Sequence, residues 1–176
     1  MKKILAALLL LCTLLAFAAY ANKDQTPEGM KDAAIENADY HLYVPEVWIE
    51  SNTLGLSGAH VGAADQAYSP NVIVTVYYPD TTMDVATYFT TVVKPQLELT
   101  LDALTMVTEG TAATLGGKNA LIYTYTYTLG GTAYKQMQVV AQNGYRIYTL
   151  TYTATADLYD AYIAEVDSVV AAFTFK

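Results

Sequence analysis

From Tyr123 to Leu129 the chain alternates without a break, with Tyr123, Tyr125, Tyr127 and Leu129 at odd positions and Thr124, Thr126 and Thr128 between them. A period of two in aromatic and β-branched residues specifies a strand, because successive side chains of a pleated backbone leave on opposite faces. Gly130-Gly131 follows at once, and Asn143-Gly144 comes after the next apolar stretch. Both dipeptides suit tight hairpin turns, which need left-handed backbone that Gly and Asn adopt readily. Three strands are therefore expected in an antiparallel meander: Tyr123 to Leu129, Ala133 to Gln142, and Tyr145 to Thr153. The middle one sets Met137, Val139 and Ala141 on one side and Gln136, Gln138 and Gln142 on the other. One sheet face should be covered and the other at least partly wet. Two further strands are expected at Val72 to Tyr78, bounded by Pro70, Asn71 and Pro79, and at Val107 to Leu115, before Gly116-Gly117.

Two amphipathic helices frame these strands. In the last, Tyr159, Tyr162, Ile163, Val166, Val169, Val170 and Phe173 recur at spacings of three and four, the stripe of a helix lying on one surface. Asp157 is its expected cap, with Asp160 close to the positive N-terminus. Earlier, Val85, Tyr88, Phe89 and Val92 repeat the pattern, with Asp80, Thr81 or Thr82 as candidate caps and Pro95 expected to end or kink the helix. A single stripe on each helix means that each covers a sheet. The fold class is thus α+β, a central antiparallel sheet flanked by helices.

The N-terminus carries an address. Lys2 and Lys3 precede an apolar run from Ile4 to Ala19 broken only by Thr13, and Ala19-Tyr20-Ala21 has the small-x-small form of a cleavage site. Residues 1–21 are read as a removable signal peptide, 22–39 as a flexible leader and 40–176 as a single domain. The run is shorter than a bilayer span needs, so no stable membrane span is expected after cleavage. Cys12 is a candidate for lipidation, but Leu11 precedes it and it lies inside the apolar run. Release into an extracytoplasmic compartment (secreted, periplasmic or at the cell surface) is the favoured reading over a lipid anchor.

Charge narrows the partners. The chain holds 9 Lys plus Arg against 17 Asp plus Glu, and loss of Lys2 and Lys3 leaves 7 against 17, a formal charge of -10. Lys118, Lys135 and Arg146 are scattered, so a phosphate-binding basic patch is missing and nucleic acid is not an expected partner. The acidity suits a soluble exported domain.

Motifs for chemistry fail on inspection. Gly55-Leu56-Ser57-Gly58-Ala59-His60 departs from a nucleophile elbow at Ala59, with no helix pattern after it. Around Gly117-Lys118 a phosphate loop fails at Ala112 and at Asn119, leaving a turn between strands. His41 and His60 are the only histidines and lack close Cys or His partners, so each reads as a surface or loop residue and not as a zinc ligand. Calcium is conceivable at Asp80 with Asp84 or Asp157 with Asp160, although both pairs sit where helix caps belong. Trp48, between Val47 and Ile49, is expected in the core, and the Tyr123, Tyr125, Tyr127 row is placed either at the surface or under a helix. No catalytic, cofactor-binding or metal residue is assigned, no cofactor beyond that conceivable calcium is expected, and ligand-binding residues are left open.

Tyr43-Val44-Pro45-Glu46-Val47-Trp48, the strand at Val72, the helix from Met83, the Leu115-Gly116-Gly117 turn, the Gly130-Gly131 and Asn143-Gly144 hairpins and the closing Phe173-Thr174-Phe175 follow one another in an order that resembles the PsbP/DcrB-like families. The resemblance runs from about Tyr40 to Lys176. It implies an α-β-α sandwich, found in exported bacterial lipoproteins and in an extrinsic photosystem II subunit, with binding or accessory roles and no enzymatic activity. No feature supports a photosynthetic role, and the lack of a good lipobox sets the chain apart from the lipoprotein members. The functional expectation is a non-catalytic binding or accessory protein of the cell envelope, its partner an envelope protein or glycan; the alternatives are a calcium-binding exported protein or a tethered lipoprotein of the same fold.

Overall fold

A computed structural model describes residues 25–51, 55–61 and 69–176; the stretch read as a signal peptide, Cys12 and the expected cleavage point before Asn22 lie outside the described residues. Three short strands open the chain: β1 (Met30–Asp32), β2 (Tyr40–His41) and β3 (Tyr43–Pro45). The main sheet is built from β4 (Ile49–Glu50), β5 (Ser57–His60), β6 (Asn71–Tyr77), β7 (Asp102–Leu115), β8 (Lys118–Leu129), β9 (Thr132–Asn143) and β10 (Arg146–Thr155). Among the described residues its order is β4-β5-β6-β10-β9-β8-β7, antiparallel throughout. The expected meander is β8-β9-β10, with Tyr123 opposite Gln138 and Leu150 opposite Val139.

The edges are managed by shape. At one edge β4 is only two residues long. At the other, β7 slips register at three points, and its positive φ at Ala103 and Gly110 marks bulged backbone. Bulges twist an edge away from chance pairing with another chain.

Helices lie on both faces. On one, α3 (Tyr159–Ala172) presses Val166, Val169 and the following Phe173 onto Val72, Val74, Val139, Ala141 and Leu150, each buried aliphatic side chain contributing about 1.5–3 kcal/mol. On the other, α1 (Val85–Tyr88), a π-helical turn (Phe89–Val93) and α2 (Lys94–Thr100) set Tyr88 and Phe89 on Tyr123, Val140 and Ile147. The chain closes with β11 (Thr174–Phe175) paired to β2. The fold is the expected α+β sandwich with a central antiparallel sheet.

Four local expectations change. The helix does not stop at Pro95. A proline lacks an N–H and crowds the carbonyl of the preceding turn; here the chain widens just before it, the Lys94 N–H reaching the Phe89 carbonyl five residues back, and α2 continues to Thr100. The cap of α1 is Asp84, whose Oδ1 accepts the Thr87 N–H at 2.8 Å, and not Asp80, Thr81 or Thr82. Asp157 does not cap α3, which starts after Leu158 without a side-chain cap; its carboxylate is bound by Thr155 and by nearby backbone N–H groups, which lower its pKa. The stretch read as a flexible leader contains β1, paired with β3 from Met30↔Pro45 to Asp32↔Tyr43, and the buried Ala33. Its polar composition concealed it because backbone and carboxylate bonds hold it: Asp32 accepts from the Ala34 and Leu42 N–H groups.

Gly116 shows why a turn residue can also be a packing residue. Its φ is +56°, and a Cβ there would lie 2.6 Å from the Phe175 ring. Only glycine lets β11 close over that turn.

Candidate functional site

The Asn143-Gly144 turn, with Gly144 at φ +63°, delivers Tyr145 and Arg146 to one end of the sheet. β6 runs antiparallel to β10 with Tyr77 opposite Ile147, so Tyr78 and Pro79 leave the sheet at that same end. Tyr78 and Tyr145 are 58% and 63% exposed, unusual for large rings in a fold that buries most of its described tyrosines. Their centroids lie 6.5 Å apart, and the Arg146 guanidinium carbon is 5.3 Å from each ring.

That guanidinium is held from two sides. Its Nε and one terminal nitrogen donate to the Tyr145 hydroxyl at 3.3 and 3.2 Å; the other terminal nitrogen bonds Asp39 Oδ2. Tyr148 donates to the same carboxylate oxygen at 2.6 Å. Burial, reinforced by the neighbouring Asp39, pushes the Tyr148 phenol up to about 12, so it remains a donor at any physiological pH. The Tyr145 hydroxyl, then Tyr148, raise the already high pKa of Arg146.

Asp39 itself is positioned by a pinned loop. The Ile35 N–H and the Tyr40 hydroxyl both donate to Ser57 Oγ, at 2.9 and 2.7 Å. Asn37 turns the chain at φ +65°, a conformation Asn tolerates better than most residues. The Lys176 ammonium donates to the Ala38 carbonyl at 2.8 Å, and its N–H to that of Asp39 at 3.0 Å. Clefts flank the platform: one of about 340 Å³ bordered by Pro79, Asp80, Thr82, Gln142 and Tyr145, another of about 180 Å³ bordered by Glu36, Asn37, Asp39, Tyr78 and Arg146. The result is a planar cation with a fixed orientation between two exposed phenols, suited to stacking and hydrogen bonding.

The other candidates scatter. Ser57 is fully buried at the start of β5 and accepts the two bonds just described, so the failed elbow motif marks a structural acceptor. His60 lies on β5 and His41 on β2, where its Nδ1 is 2.6 Å from Asp32 and its ring stacks on Tyr43; both belong to strands, not loops. Gly116-Gly117 is the turn between β7 and β8, and Lys118 opens β8. Asp84 caps α1, and Asp160 pairs with Lys135 at 3.1 Å. Among the described residues no three His, Cys, Asp or Glu side chains gather where they could share a metal ion.

Trp48 is in the core, 1% exposed, with its indole N–H donating to Glu165 at 2.7 Å. The tyrosine row lies buried on the face of α1 and α2, where Tyr123 stacks on Phe89 at 3.5 Å and Tyr127 on Tyr134 at 5.4 Å.

Sequence reasoning passed over Arg146 as one of several scattered cations. It is the single arginine of the chain and is preceded by a tyrosine just after a hairpin turn. That combination was the available signal; the approach of Tyr78 and Asp39 was not.

Among the described residues no helix is long and apolar enough to cross a membrane. Solved structures share the fold. LpqN of Mycobacterium tuberculosis, described as involved in cell envelope biogenesis, aligns with a TM-score of 0.60 at 20% identity, covering 84% of this chain and 91% of LpqN. A Pseudomonas aeruginosa protein of unknown function and putative regulatory role, PA94, aligns with a TM-score of 0.56 at 14% identity over 79% and 92%. The cyanobacterial PsbP of Synechocystis also aligns at 0.56, with 15% identity over 84% and 93%. The curated proteins hold no sequence match. The DcrB family model matches residues 25–172, an interval that takes in β1, the whole sheet and α3, and so this chain belongs to the DcrB family.

Proposed function

We propose that this protein is a non-catalytic accessory protein of the bacterial cell envelope, working outside the cytoplasm, and that it recognises a protein partner through Tyr78, Arg146 and Tyr145. The observation that carries the reading is the fixed arginine between two exposed tyrosines. Tyr and Arg are the residue types that dominate binding energy at protein interfaces, because they bring large area or several donors at low entropic cost. Asp39, Tyr148 and Tyr145 hold the guanidinium in place beforehand, which reduces the ordering cost of association. Envelope placement is supported by family membership, by the expected signal peptide and by the likeness to LpqN.

Site-specific photo-crosslinking tests it. A benzoylphenylalanine at Tyr145 in the native host should trap one defined partner, and Arg146→Ala or Tyr78→Ala should cut that adduct at least tenfold while the thermal midpoint stays near wild type. The same probe at Leu99, exposed on α2, should trap none. An adduct that survives both substitutions, or reproducible turnover of an envelope substrate by the purified protein, refutes the proposal.

A further inference from the structure

A second recess lies between α2 and the sheet and shares no lining residue with the clefts around Arg146. Its volume is about 300 Å³, and its walls include Thr75, Thr149 and Gln138 from the sheet and Tyr88, Leu97 and Gln96 from the helices. None of its lining residues is charged. The sheet residues belong together by register: Thr149 pairs directly with Thr75, and Gln138 lies diagonally from Thr149 on the next strand.

One polar atom in this wall lacks a partner. Gln138 is 8% exposed and Thr149 4%; Gln138 Oε1 makes no hydrogen bond, whereas Thr149 Oγ1 lies beside the Tyr88 hydroxyl. A buried polar group without a partner costs about 1–3 kcal/mol, so such groups are rare in native folds unless something else bonds them. The rest of the Gln138 amide is engaged: its Nε2 donates to the Tyr125 hydroxyl at 3.0 Å, which also receives the Gln136 amide at 2.6 Å. Turning the Gln138 amide over would exchange which of its atoms faces Tyr125 and still leave one without a protein partner.

We infer that this recess is a binding site for a small neutral molecule bearing several hydroxyl groups, a sugar or polyol. A hydroxyl both donates and accepts, which matches a wall offering a free amide oxygen beside threonine hydroxyls. An ionic ligand would lose its hydration with no opposite charge to replace it. The Leu97 and Tyr88 side chains supply an apolar surface for the C–H face of such a ligand, and the volume is at the small end of ligand sites. Thr75 and Gln96 are exposed, so the recess has a mouth.

Ligand-observed saturation-transfer NMR and thermal shift on the purified protein test this with D-glucose, myo-inositol and glycerol, against D-gluconate and D-glucosamine as charged counterparts. At least one neutral probe should bind with millimolar affinity or better, and the charged analogues about tenfold more weakly. Thr149→Val keeps the shape and removes the hydroxyl; it should weaken the neutral probe about fivefold to tenfold, the loss of one hydrogen bond, with only a small fall in the thermal midpoint as the Tyr88 hydroxyl loses a neighbour. Gln96→Leu at the rim gives the same test should the core variant fold poorly. Absence of binding by every neutral probe, meaning a recess that holds water only, overturns the inference. So does binding that is indifferent to both substitutions.

Discussion

Replacing Trp48 by Phe measures how tightly the opening segment is fastened to α3. The indole is buried and spans from the turn after β3 to Glu165 on the helix, donating at 2.7 Å. Phe removes three ring atoms, roughly 2 kcal/mol of buried apolar contact. It also removes a hydrogen bond to a charged acceptor, about 1.5–3 kcal/mol, with the lower end expected because Glu165 is only half-buried and can be rehydrated. Together these give a destabilisation of about 4 kcal/mol, or a fall of about 8–16 °C in Tm for a chain of this size. Urea unfolding followed by circular dichroism reads the stability. Because Trp48 is the only tryptophan, its short-wavelength emission independently reports burial in the parent and in Glu165→Ala. The pair should couple by about 1–2 kcal/mol in the double-mutant cycle; additivity to within about 0.5 kcal/mol would show that the bond contributes nothing and that packing alone holds the segment.

Gly116→Ala should destabilise by about 1–2 kcal/mol from the left-handed backbone and further by displacing Phe175, whereas Gly117→Ala meets no neighbouring atom and incurs the backbone cost alone; equal urea midpoints for the two variants would refute the close-packing account. Burial holds the phenols of Tyr148 and Tyr159 at about 12, above the ordinary value of 10.0. A raised phenol pKa means that the unfolded state releases its proton first, so the stability these two groups contribute is full below pH 10, declines through pH 10–12 and is lost above it; residue-resolved NMR showing the Tyr148 or Tyr159 ring ionising near pH 10 in the still-folded protein would contradict this. Asp84→Ala should shorten α1 and lower Tm modestly while Asp80→Ala changes little, because only Asp84 accepts the Thr87 N–H; equal effects of the two substitutions on thermal unfolding would refute the cap assignment.

The meander was legible because alternation and hairpin chemistry are local: Tyr123 to Leu129 and the turns at Gly130 and Asn143 constrain neighbouring residues and need no distant partner. The stripes of α1 and α3 were legible for the same reason. What failed to show were properties decided by pairs far apart in the chain. Met30–Asp32 becomes a strand only because β3 offers it backbone partners. Gln138, placed by its period on a wetter face, is buried once α2 crosses above it. The candidate site needed the same long-range contacts: Arg146 could be read as a lone cation, but its fixation by Asp39 depends on a loop more than a hundred residues earlier, and Tyr78 reaches it only through the β6-β10 register. Sequence by itself therefore determined the β8-β9-β10 meander, its turns and the two helix stripes, since these follow from period and local backbone preference; that both faces are covered came only with the tertiary structure. Tertiary structure alone decided which polar groups were left without partners and which aromatics stayed exposed, because both depend on what the covering helices and loops happen to reach.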